Sequence, residues 1–391
     1  MTATSFQHVF NRLARVTFDM DAREALPPIL AEDNIRSILL LTSPSLLHSR
    51  YVHSLRGVMP SATAIYGACR PHSPSRCVLE ALELLEGCRP DGIVAVGGGS
   101  VIDTAKAVAI ALWHDITSPD RLTEMFSRPS RLNSAEAEPR PRIIAIPTTL
   151  SVAELSPIGG MLIEARSTKE LVGHQYAIPR SIIYDPGALL GTPRATLLSS
   201  GIKALDHAVE ALCAVEANQF AAPLAERAVQ LLGRTLPLIA SAYDSREIPL
   251  HSALEEAQLA CWMSATGPAH GVSVGASHAI GHALGAVCGV PHGLTSCVTL
   301  APVLRWNKNY SAGPQLRVAE ALTGESDQQA GTAVEDLVRR LGLPTRLQEI
   351  GVSRDQLYAV AAASFADRCA ATNCRTISSA EDIYEILLTV I

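Results

Sequence analysis

Short apolar runs recur through the first half of the chain, separated by stretches with helical spacing. Ser37-Ile-Leu-Leu-Leu-Thr42, Ala62-Thr-Ala-Ile-Tyr66 and Gly92-Ile-Val-Ala-Val96 predict buried strands. Residues 44–57 and 75–87 carry helical patterns between them, and a further helix is predicted from Ser100. Strand and helix alternating at this rhythm predict a parallel sheet with helices on both faces, an α/β arrangement. Ligands of such sheets bind at the carboxyl ends of the strands. Residues 115–141 are polar and carry prolines, which predicts a surface insertion. Arg142-Ile-Ile-Ala-Ile-Pro147 resumes the sheet, and Ile158–Ile163 and Ser181–Tyr184 are further candidate strands. After Pro193 the pattern turns to long Ala/Leu-rich helical stretches broken by Gly and Pro. The expected organisation is therefore an α/β domain over 1–190 and an all-helical domain over 191–391, each long enough for a core of its own.

Composition removes several classes of function. A net charge of −6 and the lack of a basic run exclude an electrostatic nucleic-acid binder. No apolar stretch is long enough to span a membrane, and the N-terminus lacks a basic region followed by an apolar one, so a cytoplasmic protein is expected. The nine cysteines show no Cys-x-x-Cys pair and read as reduced thiols. Of 32 basic residues only Lys106, Lys169, Lys203 and Lys308 are lysines, and two of these fall inside the two best motifs.

The first motif is Val96-Gly-Gly-Gly-Ser-Val-Ile-Asp-Thr-Ala-Lys106, at a strand-to-helix turn. Gly97, Gly98 and Gly99 let backbone N–H groups approach an anion, and the helix N-terminus favours a phosphate. A bare tight turn explains the glycines equally well, and a capping box would account for Ser100 and Asp103. Thr148, Thr149 and Ser151, after the next strand, offer hydroxyls to a ribose, phosphate or nicotinamide, or simply line a polar loop. The second motif is Gly201-Ile-Lys-Ala-Leu-Asp-His-Ala-Val-Glu210, with Lys203 and His207 four apart on one helical face. His278 and His282 repeat that spacing, and His292 follows in Val290-Pro-His-Gly293. Imidazoles converging from two helices and a loop suit a metal or proton transfer. Lys203 is a cation among them. It either supplies positive charge to a substrate or is a lysine reaching out of a vestigial site. Asp206 reads as a helix-surface carboxylate, with pairing to Lys203 the alternative, and His174 is a minor candidate.

Together these stretches resemble the iron-containing alcohol dehydrogenase family, relatives of dehydroquinate synthase. The shared pieces are Gly97-Gly-Gly-Ser-x-x-Asp103-x-x-Lys106, Pro147-Thr-Thr149, Tyr184-Asp-Pro186, Gly201-x-x-Ala-x-x-His207-Ala-x-Glu210, and His278-x-x-x-His282-x-Leu-Gly285 with Pro291-His-Gly293. The resemblance covers residues 10–391. It implies a nucleotide-binding α/β domain, a helical domain, an active site in the cleft between them, hydride transfer with NADH or NADPH, and a homodimer. Within the family, Leu150-Ser-Val-Ala-Glu-Leu-Ser-Pro157 and the tail Asn373-Cys-Arg-Thr-Ile-Ser378 are similar to those of the metal-independent maleylacetate reductases of aromatic catabolism. The implied substrate is an unsaturated or oxo carboxylate. The resemblance places Gly97, Gly98, Gly99, Ser100, Asp103, Thr148, Thr149 and Ser151 at the cofactor, and Lys203, His207, His278, His282 and His292 at the reacting centre.

Three departures qualify this. Metal-dependent relatives carry Asp at the position of Lys203, so no metal is expected here. An alcohol dehydrogenase with a metal on three His, and a scaffold reassigned to a non-redox lyase or cyclisation step, are the alternatives. The Gly-x-Gly turn after the family's first strand is missing from Val16-Thr-Phe-Asp-Met-Asp21, so a differently shaped first hairpin is expected. Ser43 stands after Leu40-Leu-Thr42 where NAD-selective relatives often place Asp, and it removes the repulsion toward a 2′-phosphate.

Overall fold

The computed structural model describes residues 11–116, 118, 121, 122, 124, 138–164, 168–245, 250–325 and 328–391. Most of the expected insertion at 115–141 lies outside them. The chain divides into two compact units that meet in sequence at Thr192 and Pro193.

The unit over 11–192 is built on β1 (Arg15–Phe18), β2 (Ser37–Thr42), β3 (Ala62–Tyr66), β4 (Gly92–Gly97), β5 (Arg142–Pro147) and β8 (Ser181–Tyr184). They form one parallel sheet in the order β1-β8-β5-β4-β2-β3. Successive side chains of a strand alternate between faces, and the two cores follow that alternation. Leu39, Leu41, Ile93, Ala95 and Ile143 pack with α3 (Ser75–Leu84) and α4 (Gly99–Trp113). Ile38, Leu40, Val94, Val96, Ile144 and Ile146 pack with α1 (Ala22–Glu32) and α2 (Arg50–Arg56). Helices on both faces explain why these strands read as continuous apolar runs.

Three local expectations change. β1 does not open a hairpin; it pairs parallel to β8, and α1 follows it directly. Ile158–Ile163 is a strand, β6, but it leaves the main sheet and pairs antiparallel with β7 (Thr168–Gly173). The single helix expected at 44–57 is two, Pro44–Leu47 and α2, because the Ser49 hydroxyl accepts from the Val52 N–H and starts a new helix.

The unit over 193–391 is helical among its described residues. Its main helices are α5 (Arg194–Cys213), α6 (Ala221–Ser245), α7 (Leu250–Ala269), α8 (Ala276–Cys288), α9 (His292–Asn307), α10 (Ala312–Thr323), α11 (Ala330–Arg340), α12 (Leu357–Phe365) and α13 (Ala380–Leu388). A core of α8, α9, α12 and α13 side chains includes Ile280, Leu284, Val298, Val360 and Ile383. Small residues bring the helices that carry the imidazoles close together. A Cβ on Gly281 of α8 would lie 2.9 Å from the Thr295 hydroxyl of α9, and one on Gly293 of α9 2.8 Å from the Ser199 hydroxyl of α5. All nine cysteines are free. No helix of the described residues is long and apolar enough to cross a membrane.

Candidate active site

Two groups of candidate residues are assembled, one within each unit. In the α/β unit the sheet order places the switch of direction between β2 and β4, since β3 lies beyond β2 and β5 beyond β4. Such a crevice at the strand carboxyl ends binds ligands in open α/β sheets. Ser43 follows β2 there, its Oγ 3.0 Å from the Ser45 Oγ, and Gly97 ends β4 beside it. Gly98 is the cap residue of α4 and has no side chain with which to satisfy the helix N-terminus. A Cβ at Gly97 would stand 2.4 Å from Val101, at Gly98 3.0 Å from Thr149, and at Gly99 3.1 Å from the Ser151 hydroxyl. The glycine turn therefore lies directly against the 149–151 loop, where the Thr149 Oγ1 donates to the Ser151 Oγ over 3.1 Å. Thr148 is buried, and its carbonyl accepts from the Thr192 hydroxyl.

Ser100 and Asp103 do not form a capping box. Ser100 lies inside α4, and its Oγ accepts from the His72 N–H. Asp103 accepts from the Gly160 N–H at 3.0 Å and from Lys106 at 3.1 Å. Lys106, fully buried, also donates to the Ala153 and Ile158 carbonyls, each at 2.8 Å. A buried ammonium needs such partners, and the two carbonyls tie α4 to the segment over 153–158. Just before that segment, Val152 has φ +58°, a left-handed conformation uncommon for a β-branched residue. Glu154 is buried with its carboxyl accepting from the Tyr184 hydroxyl at 2.7 Å, and burial pushes its pKa up. His174 is buried against Trp113, His114 and Tyr176, and its Nδ1 accepts from the Tyr176 N–H.

In the helical unit, α5, α8 and the start of α9 bring four imidazoles into a row. The ring centroids of His207 and His278 are 4.4 Å apart, those of His278 and His282 6.3 Å, and those of His282 and His292 5.8 Å. Lys203 is 2 % exposed, and its Nζ is 3.3 Å from Asp206 Oδ2. Asp206 is wholly buried, which corrects its expected place on the helix surface. Two features of the fold account for this: α5 is packed on nearly every side, and Ser296 of α9 donates to the same Oδ2 at 2.6 Å. Asp206 Oδ1 and His278 Nε2 are buried with no hydrogen-bond partner.

The His207 Nδ1 lies 2.9 Å from the Lys203 carbonyl. A carbonyl only accepts, so the proton is assigned to Nδ1 and the lone pair to Nε2. Burial, with His278 and Lys203 nearby, holds His207 well below the usual imidazole range. His278 is lowered to about 3, first by burial and then by Lys203. Both rings are therefore neutral near pH 7.

Glu210 positions His278. Its carboxyl accepts from the Gly275 and Ser277 N–H groups, each at 2.8 Å, and meets His278 Nδ1 at 2.7 Å. The first N–H groups of a helix lack intrahelical partners; Gly275 heads α8, and a carboxyl from α5 caps it. Burial and the Asp206 carboxylate push Glu210 up to about 8, against those backbone donors. Asn373 completes the cap. Its Oδ1 accepts from the Ala276 N–H at 3.2 Å, and its amide pairs reciprocally with Asn307 of α9. At the outer end of the row, His282 Nδ1 is 2.9 Å from Asp367 Oδ2. Sequence spacing alone puts Asp206 on the helix surface and assigns no role to Ser296, Glu210 or Asp367. Glu210 carried a signal, one helical turn beyond His207; Ser296 and Asp367 come from elements far along the chain and carried none.

Comparison with known proteins agrees with this fold. The family model of the iron-containing alcohol dehydrogenases matches residues 14–186, and its C-terminal counterpart matches residues 197–391. The probable alcohol dehydrogenase EutG of Salmonella typhimurium is 31% identical over 325 residues, covering 81% of this chain and 78% of that protein. A maleylacetate reductase of Pseudomonas sp. is 28% identical over 344 residues, covering 88% of this chain and 86% of its own. The crystal structure of maleylacetate reductase from Agrobacterium tumefaciens superposes with a TM-score of 0.81 at 24% identity, covering 100% of this chain and 99% of that one, a likeness of fold. The chain belongs to the iron-containing alcohol dehydrogenase family of oxidoreductases.

Proposed function

We propose that this protein reduces an unsaturated or oxo carboxylate with NADH or NADPH, in the manner of a maleylacetate reductase and without a metal ion. The observation that carries the reading is Lys203, a buried lysine among neutral imidazoles, with the Asp206 carboxylate beside its Nζ.

The donor set fits the family's metal poorly. An ammonium stands at the first of the four positions, and it repels a divalent ion. Asp206, the nearest carboxylate, already holds that ammonium and the Ser296 hydroxyl, and both Glu210 oxygens are engaged by backbone N–H groups. Three imidazoles alone can hold zinc, but here they would do so beside a fixed positive charge. Lys203 instead provides that charge itself. Its ammonium pairs with a substrate carboxylate or stabilises negative charge developing on a carbonyl oxygen, at a buried position where such an interaction is strong. A bound NADH or NADPH supplies the hydride. His282, half-exposed and held at Nδ1 by Asp367, can pass a proton through Nε2. The turn at Gly97–Gly99 and the N-terminus of α4 suit a pyrophosphate, and Ser43 presents no carboxylate to a 2′-phosphate.

The test is oxidation of NADH and NADPH by purified protein with maleylacetate, with and without a chelator. Oxidation that ignores the chelator is expected, and Lys203→Ala should lower kcat/KM by on the order of 100-fold, as loss of a group stabilising developing charge does. A metal on the imidazoles is the second reading, favoured by the unpartnered His278 Nε2. Oxidation abolished by the chelator would establish it and end the first.

A further inference from the structure

A lysine side chain has four rotatable methylene joints and a strongly hydrated head, so a buried ammonium that must meet a substrate needs something to fix its place. On α5, Asp206 is one turn from Lys203 and accepts from it at 3.3 Å. Asp206 is in turn fixed from a second helix, because Ser296 of α9 donates to the same oxygen at 2.6 Å. The third neighbour is His278 of α8, its Nδ1 3.5 Å from that oxygen. Lys203, Asp206 and Ser296 are all nearly or wholly inaccessible to solvent. The remaining carboxylate oxygen, Oδ1, is buried and accepts from nothing. A buried carboxylate with one oxygen on an ammonium and a hydroxyl and the other unused is costly for folding alone, which points to a use in the loaded site.

We propose that Asp206, fixed by Ser296, is the positioning residue for Lys203, and that it sets how far the ammonium can follow a bound carboxylate. This rests on the metal-free reading of the same site. Asp206 draws the ammonium from one side and a substrate anion draws it from the other. The pair therefore weakens ground-state binding of the anion and keeps the ammonium where charge develops during reaction. Removing the Asp206 charge should have two opposed effects. Substrate should bind more tightly, and turnover should fall. A residue that served only the fold would lower the amount of active enzyme and leave KM unchanged.

The experiment joins kinetics with lysine labelling. The chain has only four lysines, so acetylation by an N-hydroxysuccinimide ester can be followed at each by peptide mass spectrometry. Lys308 is exposed and reports reagent strength; Lys106 is fully buried and reports unfolding of its own unit. Thermal unfolding of each variant reports the helical unit. In Asp206→Asn, labelling of Lys203 should rise at least about tenfold while Lys106 is unchanged, because a buried charge that loses its partner is held less firmly. The same variant should lose on the order of 100-fold in kcat with KM for maleylacetate below that of the wild type. Ser296→Ala should shift labelling in the same direction by less, and it carries the test if Asp206→Asn does not fold. Lys203 labelling that is unchanged in the variants, or a KM that stays level or rises along with the loss of kcat, would overturn the proposal. The underlying reading fails separately. A wild-type enzyme that needs a divalent ion would remove it, whereas the labelling difference would still identify Asp206 as the group that holds Lys203.

Discussion

Asp367 shows how one side chain serves two elements. Its Oδ2 meets His282 Nδ1 at 2.9 Å, and its Oδ1 accepts from the Cys369 N–H at 2.8 Å, capping the short helix Arg368–Ala371. Burial pushes its carboxyl up, but the His282 contact and the Cys369 N–H outweigh burial and hold it at about 2. A carboxyl whose folded pKa is depressed below its unfolded value stabilises the fold above the unfolded value, and that stability is lost as pH falls toward the folded one. The stability difference between wild type and Asp367→Asn should therefore be constant above about pH 4 and shrink between about pH 4 and pH 2. Urea unfolding across that range measures it. A difference that stays level through the window would show that the charge of Asp367 contributes nothing. Lys106 makes the complementary point. The sequence placed it in a motif and gave it no task, and the structure shows an ammonium that fastens α4 to the segment over 153–158.

At the scale of elements, the site depends on how closely three helices approach. Gly281 is a point of close approach of α8 to α9, and its missing Cβ leaves room for Thr295, whose hydroxyl in turn donates to the His292 carbonyl at 2.8 Å. Gly281→Ala puts a methyl 2.9 Å from that hydroxyl, closer than real Cβ contacts allow. Overpacking of this kind costs about 1–3 kcal/mol. The larger expected effect is on geometry, since α8 carries His278 and His282 and α9 carries His292. Activity should fall at least about tenfold, because displacements near 1 Å cost far more than that in rate. Steady-state kinetics beside thermal unfolding distinguishes the two effects, and full activity at reduced stability would refute the spacing argument. Elements of this kind were only partly legible in the sequence. The observed ends of β2 and β5 are legible in the sequence because burial on both faces leaves an unbroken apolar run, and those of β3 are legible although it is an edge strand and only partly buried. β7 and α1 are not legible there: β7 opens on the polar Thr168-Lys-Glu170 and pairs away from the main sheet, and α1 carries Pro27 and Pro28 inside a helix. Lys203 and His207 share a turn of α5 as their spacing predicted. The Ser296 and Asp367 contacts were invisible, since spacing along one helix says nothing of what another helix brings to it.

On the scale of the whole molecule, the two sets of candidate residues belong to different compact units. Ser43, Gly97, Gly98, Gly99, Thr148, Thr149 and Ser151 all lie in the unit over 11–192, and Lys203 with the four imidazoles lies in the unit over 193–391. Each unit has its own buried apolar core, so each can answer a ligand separately. A ligand that binds only the folded state stabilises what it contacts by RT ln(1 + [L]/Kd), or about 2.7 kcal/mol at a hundredfold excess over Kd. If the glycine turn holds the pyrophosphate, NADH should slow amide hydrogen exchange in β4, the first turn of α4 and the 147–152 loop. Exchange in α10 and α11, helices that carry none of the candidate residues, should be unchanged. Adding a substrate analogue with a carboxylate but no reducible group, such as succinate, should extend protection to α5 around Lys203. Exchange measured by mass spectrometry resolves both steps. Protection by NADH confined to the imidazole helices would move the cofactor away from the glycine turn. Succinate that slows exchange everywhere except around Lys203 would remove the case for a carboxylate-binding ammonium.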